Sequence, residues 1–311
     1  MTDILTLTMN PALDIATSTL HVQDTHKLRC TAAEHHPGGG GINVARVVQR
    51  LGGDCRALIT RGGSTGQVLH QLLNAEQVRS ECVDIAGDTR ESFTVLETSS
   101  GREFRFVLPG PTLTEVEWQA CLDRFNAQTP APRYLVLSGS LPPGVPTDFY
   151  AHITRLANAR GTRVVLDSSG PALAAALQQG VYLVKPSLRE LRELTGQPLD
   201  DEPQWRAAAQ QLVQQGQADM VALSLGEHGA LLATAQGSWR APSLYVSVRS
   251  ATGAGDSFVG AMVWALAQGM RADDAMRYGV AAGSAALLST GTALCSKADM
   301  ERLLDDVHLL P

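Results

Sequence analysis

The chain has 311 residues, of which 44% are hydrophobic and 18% charged, and its formal net charge is -6 at pH 7. This composition describes a globular protein with a large core and excludes a general binder of nucleic acid or acidic membrane; an anionic ligand would need a local basic cluster. The scattered cysteines Cys30, Cys55, Cys82, Cys121 and Cys295 form no CxxC pair, no signal-peptide pattern opens the chain, and no apolar run reaches membrane-spanning length, which predicts reduced thiols in a cytoplasmic protein.

The first predicted strand is Ile4–Met9. Residues 12–36 follow, with strand-like alternation and no helical period. Within them Lys27 and Arg29 lie two apart, so a strand would turn both to one face. The pair His35-His36 has no partner pair at zinc spacing and reads as a solvated loop. The stretch "HHPGGGGINVARVVQRLGG" (35–53) then sets four glycines against a predicted helix, Ile42–Leu51. Asn43 stands where a dinucleotide fingerprint needs its third glycine, so that class fails. Glycines placed directly before a helix start favour a backbone-lined ligand site over a plain flexible loop.

Strand Arg56–Thr60 and helix Gly66–Ala75 come next, joined through "RGGSTG", which lacks a phosphate-binding lysine. Residues 89–108 again alternate: Phe93 and Val95 share a face, Ser100-Gly101 marks a turn, and Phe104 and Phe106 flank Arg105. Arg90 opens this segment. Two readings of its arginines, with Lys27 and Arg29, stay open: charges guarding a solvated sheet edge, or a cluster for a phosphate.

Beyond lie helix Thr114–Ala127, strand Tyr134–Leu137, helix Asp148–Arg160, strands Val164–Asp167 and Tyr182–Val184, helices Ser187–Thr195 and Pro203–Gln215, and strand Met220–Leu225. The loop "SLGEHG" (224–229) also lacks a lysine. The alternation predicts an α/β fold with a doubly wound, mostly parallel sheet flanked by helices. The segments 12–36 and 89–108 predict a small β-sheet lid inserted into one domain spanning 1–311. With few apolar residues of its own, that lid must lean on the main body or on another subunit.

The late stretch "RSATGAGDSF" (249–258) sets Asp256 where a glycine turn becomes an apolar helix. It is no P-loop, because Asp256-Ser257 stands in place of Lys-Ser/Thr. A carboxylate there can merely complement the helix dipole, or it can serve as a base beside an anion hole of backbone N–H groups.

Taken in order, "LTLTMNPALDIAT", "KLRCTA", "PGGGGINVAR", "REFRFVLPG", "LSGSLPPGV", "LDSSG", "LVKPSLREL", "SLGEHGA" and "ATGAGDSF" resemble, from end to end, the PfkB family of ribokinase-like sugar kinases. The resemblance implies the ribokinase-like fold and ATP-dependent phosphorylation of a phosphorylated ketose, first of all fructose 6-phosphate at C1. Tagatose 6-phosphate and fructose 1-phosphate are the alternatives, disfavoured by the uninterrupted "GGGG"; a sugar-phosphate-binding regulator on the same scaffold is a non-enzymatic one. By the same resemblance Asp256 is the base, and Gly253, Ala254 and Gly255 supply the anion hole. Asp14 grips sugar hydroxyls, and Gly39, Gly40 and Asn43 close around the sugar. Lys27, Arg90 and Arg105 hold its phosphate, with Arg29 and Ser138 nearby. Lys185, Ser187, Ser224, Gly226, Gly229 and Ser284 fall on the nucleotide side. Magnesium is implied at Glu190 through water, although Ser187 stands where the family carries Asn in its Asn-x-x-Glu motif. A potassium site is implied along Ser250, Thr252, Ala286, Ser289 and Gly291, and a homodimer through the lid sheet.

Overall fold

The computed structural model describes residues 3–311. Its large sheet has nine strands: β1 (Ile4–Thr8), β4 (Cys55–Arg61), β5 (Ser80–Asp84), β8 (Tyr134–Ser138), β9 (Arg163–Asp167), β10 (Val181–Val184), β11 (Ala218–Ser224), β12 (Ala230–Thr234) and β13 (Gly237–Ala241). They lie in the order β13-β12-β11-β10-β9-β8-β1-β4-β5, parallel from β5 to β11 and antiparallel over β11-β12-β13. Strands such as β1 and β8 are buried along their whole length, as runs covered on both faces must be.

One face packs on α1 (Gly40–Arg50), α2 (Gly63–Ala75), α8 (Ala254–Ala267), α9 (Ala272–Ala286) and α10 (Lys297–Leu304) through Ile42, Leu69, Val259, Ala281 and Met300. The other packs on α3 (Glu115–Asn126), α4 (Phe149–Ala159), α5 (Gly170–Leu177), α6 (Leu188–Thr195) and α7 (Glu202–Gln214) through Leu122, Ile153, Leu173, Leu191 and Leu212. A second sheet of four strands, β2 (Ala12–Thr19), β3 (Glu34–Gly38), β6 (Arg90–Glu97) and β7 (Arg102–Val107), runs in the order β3-β2-β6-β7. Because β1 pairs with β4 on one side and β8 on the other, strand order reverses there. A crevice forms at the carboxyl ends of strands where the order reverses.

All six predicted strands and six predicted helices form, most within two residues of their expected ends; α2 starts three residues earlier. Several elements go beyond them. β5 reads "SECVD" and buries only Val83, so it lacks a core pattern; β12 is an Ala/Leu run of low strand propensity. Two expectations are corrected. Residues 20–33 form no strand, so Lys27 and Arg29 sit on an exposed loop and share no strand face. His35 and His36 lie on β3, not in a solvated loop, with His36 opposite Asp14 and 3.6 Å from the Glu34 carboxylate.

The helices α1 and α8 cross closely because Gly260 has no side chain: a Cβ there would come within 2.8 Å of the Val47 side chain. Gly260→Val is therefore expected to lower stability by about 1–3 kcal/mol through overpacking, read as a fall in Tm. It is also expected to lower kcat, because these two helices carry Asn43 and Asp256. An unchanged Tm and kcat would refute this account of the crossing.

Candidate active site

The crevice is a cleft of about 370 Å³ at the carboxyl ends of β1, β8 and β9, roofed by the small sheet. Asp14 enters from β2, Asn43 from the first turn of α1, Arg90 and Arg105 from β6 and β7, and Asp256 from the first turn of α8. The glycine run lets these elements meet. A Cβ at Gly40 would lie 2.1 Å from Ser138 Oγ, and one at Gly38 would lie 2.2 Å from Asp14 Oδ2.

At the start of α8 the helix is capped by Gly253 in the left-handed region (φ +77°), with no side-chain cap. Asp256 instead accepts a hydrogen bond at Oδ2 from Asn43 Nδ2, at 2.8 Å. The free N–H groups of this helix start are thus left to a ligand. Burial, reinforced by repulsion from Asp167, lifts the Asp256 carboxyl to about 6, against the pull of Asn43 and Lys185. Burial also raises Asp14 above the usual carboxylate range, opposed by Thr292, Arg105, Arg90 and Arg46.

Lys185 Nζ pairs with Asp167 Oδ1 at 3.0 Å and reaches over Gly255. Burial works against its charge, but Asp167, Glu190 and Asp256 together outweigh burial and hold the ammonium above its ordinary range. Arg90 is oriented by two carbonyls: Nη1 donates to Leu108 O (3.0 Å) and Nη2 to Asn10 O (3.1 Å), while its buried Nε has no protein partner.

The cleft thus gathers Asp14, Gly39, Gly40, Asn43, Arg90, Arg105, Ser138, Lys185, Glu190, Thr252, Gly253, Gly255 and Asp256. Ala254 sits between its two lining glycines as the first residue of α8. Lys27 and Arg29 do not line the cleft of their own chain. Of the expected nucleotide side Lys185 lines this cleft, whereas Ser187, Ser224, Gly226, Gly229 and Ser284 do not. Ser187 and Glu190 form a capping box on α6, with Glu190 Oε2 accepting from Ser187 N (2.7 Å) and Ser187 Oγ from Glu190 N (3.2 Å). Ser224 bridges to Ser187, and Gly226 and Gly229 bound a short 3-10 turn with positive φ. Ser284 lies on α9, whose end is joined to the 249–252 loop by Arg249 N donating to Leu287 O (2.7 Å). That bond sets Ser250 and Thr252 beside the stretch holding Ala286, Ser289 and Gly291. Ser250 Oγ also donates to Glu103 Oε2 of β7 at 3.0 Å, tying the small sheet to this loop.

Asp167 and Thr292 line the cleft without having been singled out from the sequence. Asp167 had a signal, a carboxylate ending an apolar strand where a doubly wound sheet places its ligands. Thr292 had none.

The description "pfkB family carbohydrate kinase" matches residues 7–299. The chain is 47% identical over 302 residues to the ATP-dependent 6-phosphofructokinase isozyme 2 of Mycobacterium tuberculosis, covering 97% of this chain and 89% of that one. It is 42% identical over 304 residues to the isozyme 2 enzyme of Escherichia coli K12, covering 97% and 98%. The structure of phosphofructokinase-2 from E. coli in complex with substrates and products superimposes with a TM-score of 0.94 at 42% identity, over 98% of this chain and 99% of that one. The same E. coli protein has been solved with potassium and in a tetrameric inhibited form. The chain belongs to the PfkB family of carbohydrate kinases.

A carboxyl that must be ionised to take a proton makes kcat/KM fall on the acid side, with a midpoint near the 6 of Asp256. Asp256→Asn should flatten that limb and lower kcat by about 10²–10⁴-fold. It should also raise Tm at pH 8: a carboxyl lifted above its unfolded value stabilises the fold when protonated and loses that contribution as pH rises through 6. A variant with unaltered kcat and pH profile would remove Asp256 from the chemistry.

Proposed function

We propose that this member of the PfkB family is an ATP-dependent 6-phosphofructokinase, which converts fructose 6-phosphate to fructose 1,6-bisphosphate. The observation carrying this reading is one cleft that sets Asp256, at a helix start rich in free N–H groups, beside two arginines and Asp14. Its relatives of 47% and 42% identity bear that activity in their names.

The 6-phosphate meets Arg90 and Arg105, whose guanidiniums line the cleft as charge-assisted donors. Asp14 accepts from sugar hydroxyls, and Gly39, Gly40 and Asn43 hold the ring. The C1 hydroxyl lies against Asp256. As its oxygen attacks the γ-phosphorus, its proton passes to the Asp256 carboxylate, the new O–P bond forms, and the bond from phosphorus to the β,γ-bridging oxygen breaks to release ADP. The N–H groups of Gly253, Ala254 and Gly255, with the Lys185 ammonium, face the charge on the moving phosphoryl.

No group of three or more His, Cys, Asp and Glu side chains that could cage a metal occurs among the described residues. Glu190, fixed by its capping box, instead suits a magnesium ion that keeps several waters and takes phosphate oxygens. Bound there with ATP, magnesium neutralises phosphate charge. Ser187 Oγ, which accepts from Glu190 N, has a second lone pair that would accept from such a water. The joined stretches of Ser250, Thr252, Ala286, Ser289 and Gly291 suit a potassium ion held by main-chain oxygens, and Ser187, Ser224, Gly226, Gly229 and Ser284 suit the nucleotide.

We read the whole chain as one catalytic domain whose lid pairs with a second copy. The lid exposes Leu20, Leu28, Phe106 and Val107, the last two at 53% and 60%. Lys27, outside its own cleft, then meets a sugar phosphate only across that pairing. Among the described residues no helix is long and apolar enough to cross a membrane. A cytoplasmic location suits this reading, because ATP and a sugar phosphate do not pass lipid.

ADP release is expected with fructose 6-phosphate and far less with tagatose 6-phosphate, fructose 1-phosphate or unphosphorylated sugars; another order of preference would overturn the substrate. Arg90→Ala should cost about 1.5–3 kcal/mol in kcat/KM for the phosphosugar, mainly through KM, and leave KM for ATP unchanged. Equal damage to both KM values would sink the phosphate role.

A further inference from the structure

We propose that Arg46 is a positioning residue for catalysis, locking the Asn43 amide so that its NH₂ end, and not its carbonyl, faces Asp256. Arg46 lies one turn after Asn43 on α1 and is 1% exposed. Its Nη1 donates to Asn43 Oδ1 (3.1 Å), to Pro37 O (3.1 Å) and to Thr292 O (3.0 Å). Its Nε and Nη2 are held by the Glu76 carboxylate at 3.0 and 2.7 Å, and Glu76 is braced in turn by Arg50 Nη2 at 3.0 Å.

The chemistry of these groups fixes the direction. An amide side chain has one accepting and one donating end, of almost the same shape. A guanidinium has donors only, so the end of Asn43 that meets Arg46 must be Oδ1. Nδ2 is then the end 2.8 Å from Asp256 Oδ2. Without Arg46 the Asp256 charge alone would oppose the reversed amide, which would set a carbonyl against the carboxylate. With it, one Asp256 oxygen is committed to Asn43 and the other is left for the sugar hydroxyl. Arg46 further pins the end of β3 and the Thr292 loop to α1, so the walls beside Asp14 and the base share one cation.

This inference rests on the proposed reaction, and wild-type turnover with fructose 6-phosphate tests that reaction separately. The inference itself is tested by a cycle of Arg46→Met, Asn43→Ala and the double variant, assayed at a temperature below the Tm of each. Arg46→Met is expected to lower kcat roughly ten- to hundredfold, as misplacement of a reacting group does. KM for ATP should stay within about threefold. In the Asn43→Ala background the same substitution should cost no more than about a further twofold, because the amide it orients is gone. Should Arg46→Met not fold, Glu76→Ala replaces it in the cycle, with the same pattern expected at smaller size. Losses that multiply in the double variant, or a kcat equal to wild type in either single variant, would overturn the proposal.

Discussion

The site depends on a single short contact between two helix starts, the 2.8 Å bond from Asn43 to Asp256. The two residues lie 213 apart in sequence, and their bond joins the glycine loop that opens α1 to the carboxylate in the first turn of α8. The bond exists because α1 and α8 approach until a glycine must replace a side chain at 260. Each helix also begins in glycines, which leaves backbone donors bare on the same side. Close packing and site geometry are therefore one constraint here: loosening the helix pair would move Asn43 and the glycines before it away from Asp256.

Charge is distributed around that contact in a way the net charge hides. The protein is acidic, yet its cleft brings Arg90, Arg105 and Lys185 to the surface that two anionic substrates must approach. Facing them are Asp14, Asp167, Glu190 and Asp256, three of which (Asp14, Asp167 and Asp256) burial pushes towards their neutral forms before any ligand arrives. Lys185 holds Asp167, the Asn43 amide holds Asp256 and the Ser187 N–H holds Glu190, so these carboxylates are set before binding and need not reorganise during transfer. Its cost is a fold less stable than an apolar one of the same shape.

Much of this was legible in the sequence. The runs "LTLTMN" and "YLVLS" announce strands covered on both faces, the four glycines before α1 announce a backbone-lined ligand site, and the glycine turn before Asp256 left a helix-dipole complement and an anion hole both open. Asp14, Arg90, Arg105 and Asp256 were named from the sequence and meet in one cleft. What the sequence concealed is partner choice over distance. Nothing in the spacing of Lys27 and Arg29 shows that their segment turns outward as a loop. The edge strand β5 carries no core pattern, and Arg46 looks like an ordinary surface residue of an amphipathic helix until Glu76, Pro37 and Thr292 surround it.

The leads joining the small sheet to the body are short and unequal. Three residues separate β1 from β2, one separates β3 from α1, five separate β5 from β6, and seven separate β7 from α3. A slab moored at four corners, with two moorings nearly taut, cannot lift away; its one easy freedom is to rock about the taut edge. That edge runs through Gly39, which leads directly into the helix bearing Asn43. The small sheet and the helix start that bears Asn43 are therefore mechanically one unit, joined through a single residue.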